Sequence, residues 1–282
     1  MEHALEFREV TKQYTGFTLD RVSLQLPKGC IMGLIGENGA GKSTMIKLIM
    51  DLIRKDGGAI TVLGQDSVNL PRQTKEAVGV VMDECCFPEY VNLQSANKIM
   101  KSIYRMWDET KFQELVQRFS LPEKKTVKEY SRGMKMKLSI AVALSHRPQL
   151  LVLDEATSGL DPVVRNEILD VFLDFIQDET HSIFMSSHIL SDLEKACDYI
   201  TFLHQGKVIF SDEKDRITEQ YGVLKCSEKE LESIDPSLIV GKRKNAFGAE
   251  ALVLKSKLRG GYLIDNATVE DMMLFYIKEK EQ

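Results

Sequence analysis

The sequence predicts an α/β fold with a largely parallel sheet, followed by a small C-terminal α/β region. Short apolar runs alternate with stretches of helical period, and this alternation is typical of parallel strands joined by crossover helices. The chain has 282 residues, of which 43% are hydrophobic and 28% are charged. That composition is typical of folded globular proteins and excludes disordered and fibrous classes.

Apolar patterns predict the individual elements of the first part. Strands are expected at residues 4–10, 17–26, 30–35, 59–63, 150–153, 182–185 and 199–203, and helices at 43–53, 161–176 and 190–197. A separate helical region begins at Asn92, where the period changes to 3.6. Its apolar residues form two stripes, one of Ile99, Ile103, Met106 and Trp107 and one of Phe112, Leu115, Val116 and Phe119.

The texture of the sequence changes after Phe210. A charged connector at 211–216 precedes weaker strand patterns at 222–225, 238–240 and 251–254, so we expect a boundary between 211 and 222. Two helix starts are predicted in this tail. Ser227 with Glu230, and Thr268 with Asp271, have the spacing at which a hydroxyl and a carboxylate cap the first amides of a helix.

Residues 36–43 read Gly-Glu-Asn-Gly-Ala-Gly-Lys-Ser, which fits the phosphate-binding pattern G-x-x-x-x-G-K-[ST] between a strand and a helix. Glycines let consecutive backbone amides turn toward an anion, and the helix N-terminus adds partial positive charge. Lys42 adds a full charge, and Ser43 is expected to hold Mg²⁺. The predicted nucleotide-binding residues of this segment are Gly36, Glu37, Asn38, Gly39, Ala40, Gly41, Lys42, Ser43 and Thr44.

The apolar strand at 150–153 ends in two acids, Asp154 and Glu155. In a parallel sheet this position is the carboxyl edge, where ligands bind. We expect Asp154 to orient the Mg²⁺ shell and Glu155 to accept a proton from the attacking water in phosphoryl transfer. Acids that merely end a strand in solvent are the alternative, and the neighbouring phosphate loop disfavours it.

Three further segments accompany these two. Residues 130–135 read Tyr-Ser-Arg-Gly-Met-Lys before a helical run, residues 156–161 read Ala-Thr-Ser-Gly-Leu-Asp, and residues 186–188 read Ser-Ser-His after a strand. In this order the segments resemble the motifs of ABC-type ATPases, over residues 4 to about 210. A narrower resemblance is to the ATP-binding subunits of bacterial ABC-2 type exporters, including those that export phenol-soluble modulin peptides.

The resemblance implies a fold and a domain division. The fold is a P-loop NTPase: a RecA-like, mostly parallel sheet core with an antiparallel β subdomain and an inserted helical subdomain. The ABC ATPase domain is expected at 1–211, with the helical insert at about 85–147, and a small C-terminal accessory region at 222–282.

The resemblance also implies roles for single residues. Tyr14 is expected to stack on adenine, His188 to contact the γ-phosphate, and Asp161 to lie in a loop between two protomers. Ser131 and Gly133 are expected to contact the phosphates of a nucleotide held by another subunit. Two such subunits, as a homodimer or a heterodimer, would sandwich two ATP molecules.

Two positions depart from the family pattern. The signature reads Tyr-Ser-Arg-Gly-Met instead of Leu-Ser-Gly-Gly-Gln, and Asp83 stands where the family usually has Gln. Asp83 keeps an oxygen acceptor for Mg²⁺, but it is shorter and negatively charged. Substitution by Glu84, or a sensor role without metal ligation, remains open.

Charge and hydropathy limit the partners. The net charge is −5, which argues against a nucleic-acid partner, and no apolar run approaches the length of a membrane span. With ATP and Mg²⁺ as cofactors, the resemblance implies transmembrane permease subunits, a place at the cytoplasmic face of the membrane, and export of peptides or amphipathic, toxic compounds. A soluble ABC-type ATPase that acts on ribosomes or DNA is the alternative.

The five cysteines include one adjacent pair, Cys85 and Cys86. Their odd number and the absence of a C-x-x-C spacing indicate neither a disulfide framework nor a zinc site. We expect this adjacent pair to be two buried thiols.

Overall fold

A computed structural model describes residues 2–245, 248–255, 258 and 262–279. The chain divides into two compact units, residues 1–210 and 211–282. The strands that begin in the first unit are β1 (His3–Tyr14), β2 (Phe17–Pro27), β3 (Ile31–Ile35), β4 (Gly57–Val62), β5 (Gln65–Asp66), β6 (Val78–Val81), β7 (Leu150–Asp154), β8 (Ser182–Ser186), β9 (Tyr199–His204) and β10 (Lys207–Glu213). Its α-helices are α1 (Lys42–Ile49), α2 (Arg72–Glu76), α3 (Leu93–Ile103), α4 (Glu109–Arg118), α5 (Arg132–Ser145), α6 (Pro162–Phe175) and α7 (Leu190–Ala196).

The central sheet has six strands in the order β10-β9-β3-β8-β7-β6. The pairs β3–β8, β3–β9, β6–β7 and β7–β8 are parallel. Every residue of β3, β7 and β8 is buried, as expected for strands covered on both faces. Because these strands run in one direction, the segments that follow β3, β6, β7 and β8 meet at one edge of the sheet.

A second, antiparallel sheet has the order β2-β1-β4-β5. Alternating residues of β2 are buried, which fits a strand with one face on the core. The pairing of β1 with β2 shifts register between Phe7 and Val10 and again between Val10 and Lys12. The first unit therefore contains the predicted parallel core and the antiparallel β part implied by the resemblance.

The helical segment between β6 and β7 contains α3, α4 and α5. The stripe of Phe112, Leu115, Val116 and Phe119 is buried. Three residues of the other stripe face solvent, since Ile99, Ile103 and Met106 are 39%, 48% and 57% exposed. The fourth, Trp107, is partly buried, with its ring centroid 5.3 Å from that of Phe112. Helix α3 turns Leu93, Ala96 and Asn97 inward instead.

Asn97 explains this orientation of α3. Its amide donates to Oε1 of Glu109 at 2.7 Å and accepts from Nε1 of Trp107 at 2.7 Å. A buried amide with both groups satisfied costs little. Since Ile99 and Ile103 lie on the far side of the helix from Asn97, they stay in solvent.

Two local expectations from the sequence were wrong. Helix α1 ends at Ile49, four residues before the predicted end, because Asp51 takes a left-handed conformation with φ of 52°. Cys86 is exposed and Cys85 is only partly buried, so they are not a buried pair. Both cysteines lie in the irregular segment between β6 and α3, which has no packed face to bury them.

The second unit contains α8 (Lys214–Gln220), β11 (Tyr221–Cys226), α9 (Glu228–Glu232), β12 (Ile239–Asn245), β13 (Gly248–Leu254), β14 (Ile264–Asn266) and α10 (Val269–Glu279). Its strands form an antiparallel sheet in the order β12-β13-β11-β14. Both predicted helix starts are confirmed: Ser227 and Glu230 form a capping box, and Thr268 and Asp271 exchange the same bonds. The expected connector instead holds the end of β10 and α8.

Among the described residues, none of the helices combines the length and the hydropathy needed to cross a lipid bilayer.

Candidate nucleotide site

The loop between β3 and α1 folds around Lys42. Its buried ammonium group donates to the carbonyl oxygen of Gly36 at 2.7 Å and lies 3.4 Å from that of Glu37. Gly41 caps the helix with φ of 113°, a conformation that a side chain would strain. Gly36 packs so closely on the carbonyl oxygen of Leu203 that a β-carbon would overlap it. The loop therefore leaves its backbone open beside a helix N-terminus, as an anion site requires.

A cavity of about 440 Å³ opens in front of this loop. It is lined by the predicted residues Glu37, Asn38, Gly39, Gly41, Lys42, Ser43, Thr44, Asp83, Glu155 and His188, and by three residues that were not assigned to the site, Phe17, Arg132 and Ser158. The predicted residues Tyr14, Gly36, Ala40, Ser131, Gly133, Asp154 and Asp161 are not in its lining. The segments that follow β3, β6, β7 and β8 thus meet at one edge of the parallel sheet.

The carboxylate of Glu155 lies between the side chains of His188 and Lys42. Its Oε2 lies 2.6 Å from Nδ1 of His188, and its Oε1 lies 3.7 Å from Nζ of Lys42. Its backbone is left-handed, with φ of 51°, and its N–H is held by the carbonyl and the hydroxyl of Ser186 at 3.2 and 3.1 Å. Non-glycine residues rarely adopt this conformation, and those that do are found preferentially at functional sites.

Asp154 is buried behind the cavity. Its Oδ1 accepts a hydrogen bond of 2.7 Å from the hydroxyl of Ser186. The bond orients the carboxylate and leaves its second oxygen available. The hydroxyl of Ser43 and the carboxylate of Asp83 line the cavity nearby.

These oxygens fit a magnesium ion. Mg²⁺ prefers oxygen ligands and is usually held by one or two carboxylates together with substrate phosphates. A serine hydroxyl and one oriented carboxylate are such a set. No cluster of three or more acidic, histidine or cysteine side chains that could hold a metal occurs in the described part of the chain.

Two aromatic rings lie on the β1–β2 turn. The ring of Tyr14 is 45% exposed, and its centroid lies 6.5 Å from that of Phe17, which lines the cavity. The ammonium group of Lys12 lies 5.4 Å from the Tyr14 centroid. Exposed rings of this kind offer a surface on which a planar base can stack.

The remaining predicted residues lie at helix starts. Ser131 caps α5 by accepting from the backbone of Met134 at 3.3 Å. Asp161 caps α6 by accepting from Val163 and Val164 at 3.1 and 3.0 Å. Gly133 lies in the first turn of α5. Ser131, Gly133 and Asp161 do not line the cavity that Lys42 lines, and their contact with a nucleotide on another subunit stays a prediction.

Sequence reasoning missed two functional residues of the site. Ser186 belongs to the Ser-Ser-His segment, in which only His188 was given a role. Its position at the end of a strand beside β7 could have indicated a contact with the acids that end β7. Phe17 shares a turn with Tyr14, and only the turn geometry brings it to the cavity.

The parallel sheet, the glycine-rich loop with its buried lysine after β3 and the acids at the end of β7, one strand further across the sheet, define a P-loop NTPase. Residues 19–158 match the family model described as ABC transporter. The chain is 34% identical to the ABC transporter ATP-binding protein YtrB of Bacillus subtilis, over 77% of this chain and 74% of that one. It is 38% identical to the lantibiotic transport ATP-binding protein SrtF of Streptococcus pyogenes, over 75% and 91%.

Solved structures agree. A structure described as the ATP-binding subunit of an ABC transporter superposes with a TM-score of 0.70 at 28% identity, covering 77% of this chain and 92% of that one. A dimeric ATP-binding cassette from a post-hydrolysis state, bound to ADP and Pi, has the same fold, with a TM-score of 0.66 at 18% identity over 74% and 98% of the two chains.

The chain belongs to the ABC transporter ATP-binding family. It is the ATP-binding and ATP-hydrolysing subunit of such a transporter.

Proposed function

We propose that this subunit hydrolyses ATP in the cavity in front of Lys42 and thereby powers the export of peptides or related amphipathic compounds. The contact of Glu155 with both His188 and Lys42 is the observation that carries the assignment. Relatives named for transport of a lantibiotic and of bacitracin support the cargo class. Export of phenol-soluble modulins in particular stays a prediction.

The chain's residues divide the chemical work. Lys42 and the loop amides neutralise the phosphates, and the exposed ring of Tyr14 accepts the base. Glu155 takes the proton of a water molecule as that water attacks the γ-phosphorus and the bond to ADP breaks. His188 holds the Glu155 carboxylate and faces the terminal phosphate. Mg²⁺, held through Ser43 and Asp154, would supply charge neutralisation of the phosphates.

The complete site is proposed to need a second subunit. Ser131 and Gly133 do not line the cavity of their own chain, although Arg132 between them does, and the amides of a capped helix start suit an anion. We therefore propose a dimer in which each chain offers these residues to the nucleotide of its partner. Whether the partner is a second copy or a paralogue is open.

The membrane partner is proposed to dock on the helical segment, at the cytoplasmic face of the membrane. Tyr90, Ile103 and Met106 are 81%, 48% and 57% exposed, and all three lie between β6 and α4, in the part of the chain that follows Asp83 of the cavity. Exposed apolar side chains in such number mark an interaction surface. Contacts there would connect a permease subunit to the nucleotide through the segment that follows β6.

Affinity purification from detergent-solubilised cells tests the partner. The tagged chain should recover a polytopic membrane protein, and a double substitution of Ile103 and Met106 to Asp should abolish that recovery. Leu52→Asp is the matched control, because Leu52 is 65% exposed outside the helical segment. Recovery of ribosomal or DNA-repair proteins without a membrane protein would support the alternative of a soluble ATPase instead.

A further inference from the structure

Arg132 is the first residue of α5 and stands where the family signature usually has glycine. Its side chain lies on the turn that follows Glu155 in the same chain. A β-carbon built at Gly159 would meet Cζ and Nη1 of Arg132 at 3.1 Å and Nε at 3.5 Å. Since three atoms of one planar group are nearly equidistant from that point, the flat face of the guanidinium rests on Gly159.

Gly159, which Arg132 contacts, immediately follows the turn formed by residues 155–158. The N–H of Ser158 donates to the carbonyl oxygen of Glu155 at 3.0 Å, which closes the turn. Gly159 follows with φ of 66°, a conformation that favours glycine. Arg132, Ser158 and Glu155 all line the phosphate cavity.

The cation has no competing partner. Within residues 2–245, 248–255, 258 and 262–279, no side chain forms an ion pair or hydrogen bond with Arg132. Its position is therefore set by the packing on Gly159 and not by a neighbouring carboxylate.

Helix α5 also contacts α6, the helix that follows the Ser158–Gly159 turn. A β-carbon at Gly133 would lie 3.3 Å from Cγ1 of Val164, at the start of α6. One helical turn on, Nζ of Lys137 lies 2.7 Å from Oε2 of Glu167. These contacts link the first half of α5 to the start of α6, so that a shift of Ser131 would be carried through Arg132 to the turn after Glu155.

We propose that Arg132 is a positioning residue: its guanidinium holds the Ser158–Gly159 turn, and through it Glu155, in register with the start of α5. The proposal rests on the catalytic role given to Glu155. It connects the two half-sites of one chain, because Ser131 and Gly133 serve the partner's nucleotide while Glu155 serves the chain's own.

A different role, direct attraction of phosphates by the Arg132 charge, makes opposite predictions. Flat packing requires a planar end group and not a charge, whereas phosphate attraction requires a charge and not a planar group. Gln has a planar, uncharged end, and Lys has a charged end that is not planar. The pair Arg132→Gln and Arg132→Lys therefore separates the two roles.

The test is steady-state ATP hydrolysis by the full-length chain as a function of ATP concentration. Arg132→Ala should lower kcat roughly tenfold, the scale of a small misplacement of a catalytic group, with KM changed less than about twofold. Arg132→Gln should recover more of kcat than Arg132→Lys. Lys128→Ala is the control: it removes one exposed positive charge a turn before α5 and should match the wild type.

Two results would overturn the proposal. One is a kcat of Arg132→Ala equal to that of the control. The other is a raised KM that Lys restores and Gln does not. Thermal unfolding of each variant identifies any loss of fold, and the Gln and Lys variants keep the aliphatic stem. If the wild type itself shows no hydrolysis sensitive to Glu155→Gln, the role of Glu155 fails, and that result is distinct from either outcome above.

Discussion

Nδ1 of His188 lies 2.6 Å from Oε2 of Glu155, and this contact joins the ends of two adjacent strands, β8 and β7. Ser186 is the last residue of β8. Its hydroxyl accepts a hydrogen bond from the backbone N–H of Glu155 and donates one to the carboxylate of Asp154. One strand end thus orients both acids that the mechanism uses. The neighbouring lysine, 3.7 Å from the other carboxylate oxygen, keeps Glu155 between two positively polarised groups.

Glu155→Gln should preserve ATP binding and lower turnover by about a hundredfold or more, because an amide keeps the shape but cannot accept the proton. ATP-dependent dimerisation, measured by light scattering, should become stable in this variant. Glu89→Gln is the control, since Glu89 is exposed and does not line the cavity. Unchanged hydrolysis in Glu155→Gln would remove Glu155 from the role of base.

Lys42→Ala should weaken ATP binding, because the loop loses the only side-chain charge buried within it. A charge-assisted hydrogen bond contributes about 1.5–3 kcal/mol, so the Kd should rise by one to two orders of magnitude. Calorimetry with ATP measures the change, and Lys47→Ala on the exposed side of α1 is the matched control. Equal affinity in wild type and Lys42→Ala would contradict the assignment of this loop to the phosphates.

Asp83→Gln tests the departure from the family pattern. If Asp83 helps to hold Mg²⁺ at the cavity, the longer neutral amide should change the Mg²⁺ concentration needed for half-maximal turnover. Titration of hydrolysis with Mg²⁺ at fixed ATP measures this, with Glu89→Gln as an exposed control outside the cavity. An unchanged Mg²⁺ dependence would mean that Asp83 is not a metal ligand, and unchanged turnover coupled to transport as well would exclude a sensor role.

Lys137→Met should destabilise the first unit, because it leaves Glu167 without its partner at a site where Lys137 is 11% and Glu167 29% exposed. With one partner partly in solvent, the expected cost is about 1–3 kcal/mol in the free energy of unfolding, below that of a fully buried pair. Lys111→Met removes an exposed pair and should cost less than about 0.5 kcal/mol. Denaturant unfolding compares the two, and equal losses would count against a structural role for the Lys137–Glu167 pair.

His146 should make stability depend on pH. Its ring stacks on Tyr104 with centroids 4.1 Å apart, and burial lowers its pKa below the ordinary value of 6.5. Below pH 6.5 the unfolded chain takes up a proton that the folded chain does not, so this stability is complete above pH 6.5 and is lost on acidification. A single titrating group contributes a slope of at most ~1.4 kcal/mol per pH unit.

His146→Phe keeps the stacked ring and removes the titrating group, so it should flatten the dependence just below pH 6.5. Below that range, carboxylates whose pKa is held low by hydrogen bonds, such as Asp108, take over. An unchanged slope in His146→Phe would exclude His146 as its source.

The sequence predicted the chemistry of the site better than its shape. The phosphate loop, the paired acids after β7 and the histidine after β8 are local patterns, and the parallel sheet brings them together because strands of one direction end at one edge. Phe17 and Ser186 were missed because their roles depend on a turn and on a neighbouring strand. Their chemistry is visible only once those neighbours are known.

The apolar pattern of the sequence also failed to predict which face of helix α3 is buried. The apolar stripe of α3 is exposed and its Asn97 is buried, because Glu109 and Trp107 satisfy the amide. The sequence by itself determined which residue types follow each strand, and with them the class of reaction. Only the tertiary structure decided which face of α3 meets solvent and that Arg132 packs on Gly159, since both depend on side-chain contacts between different elements of the fold.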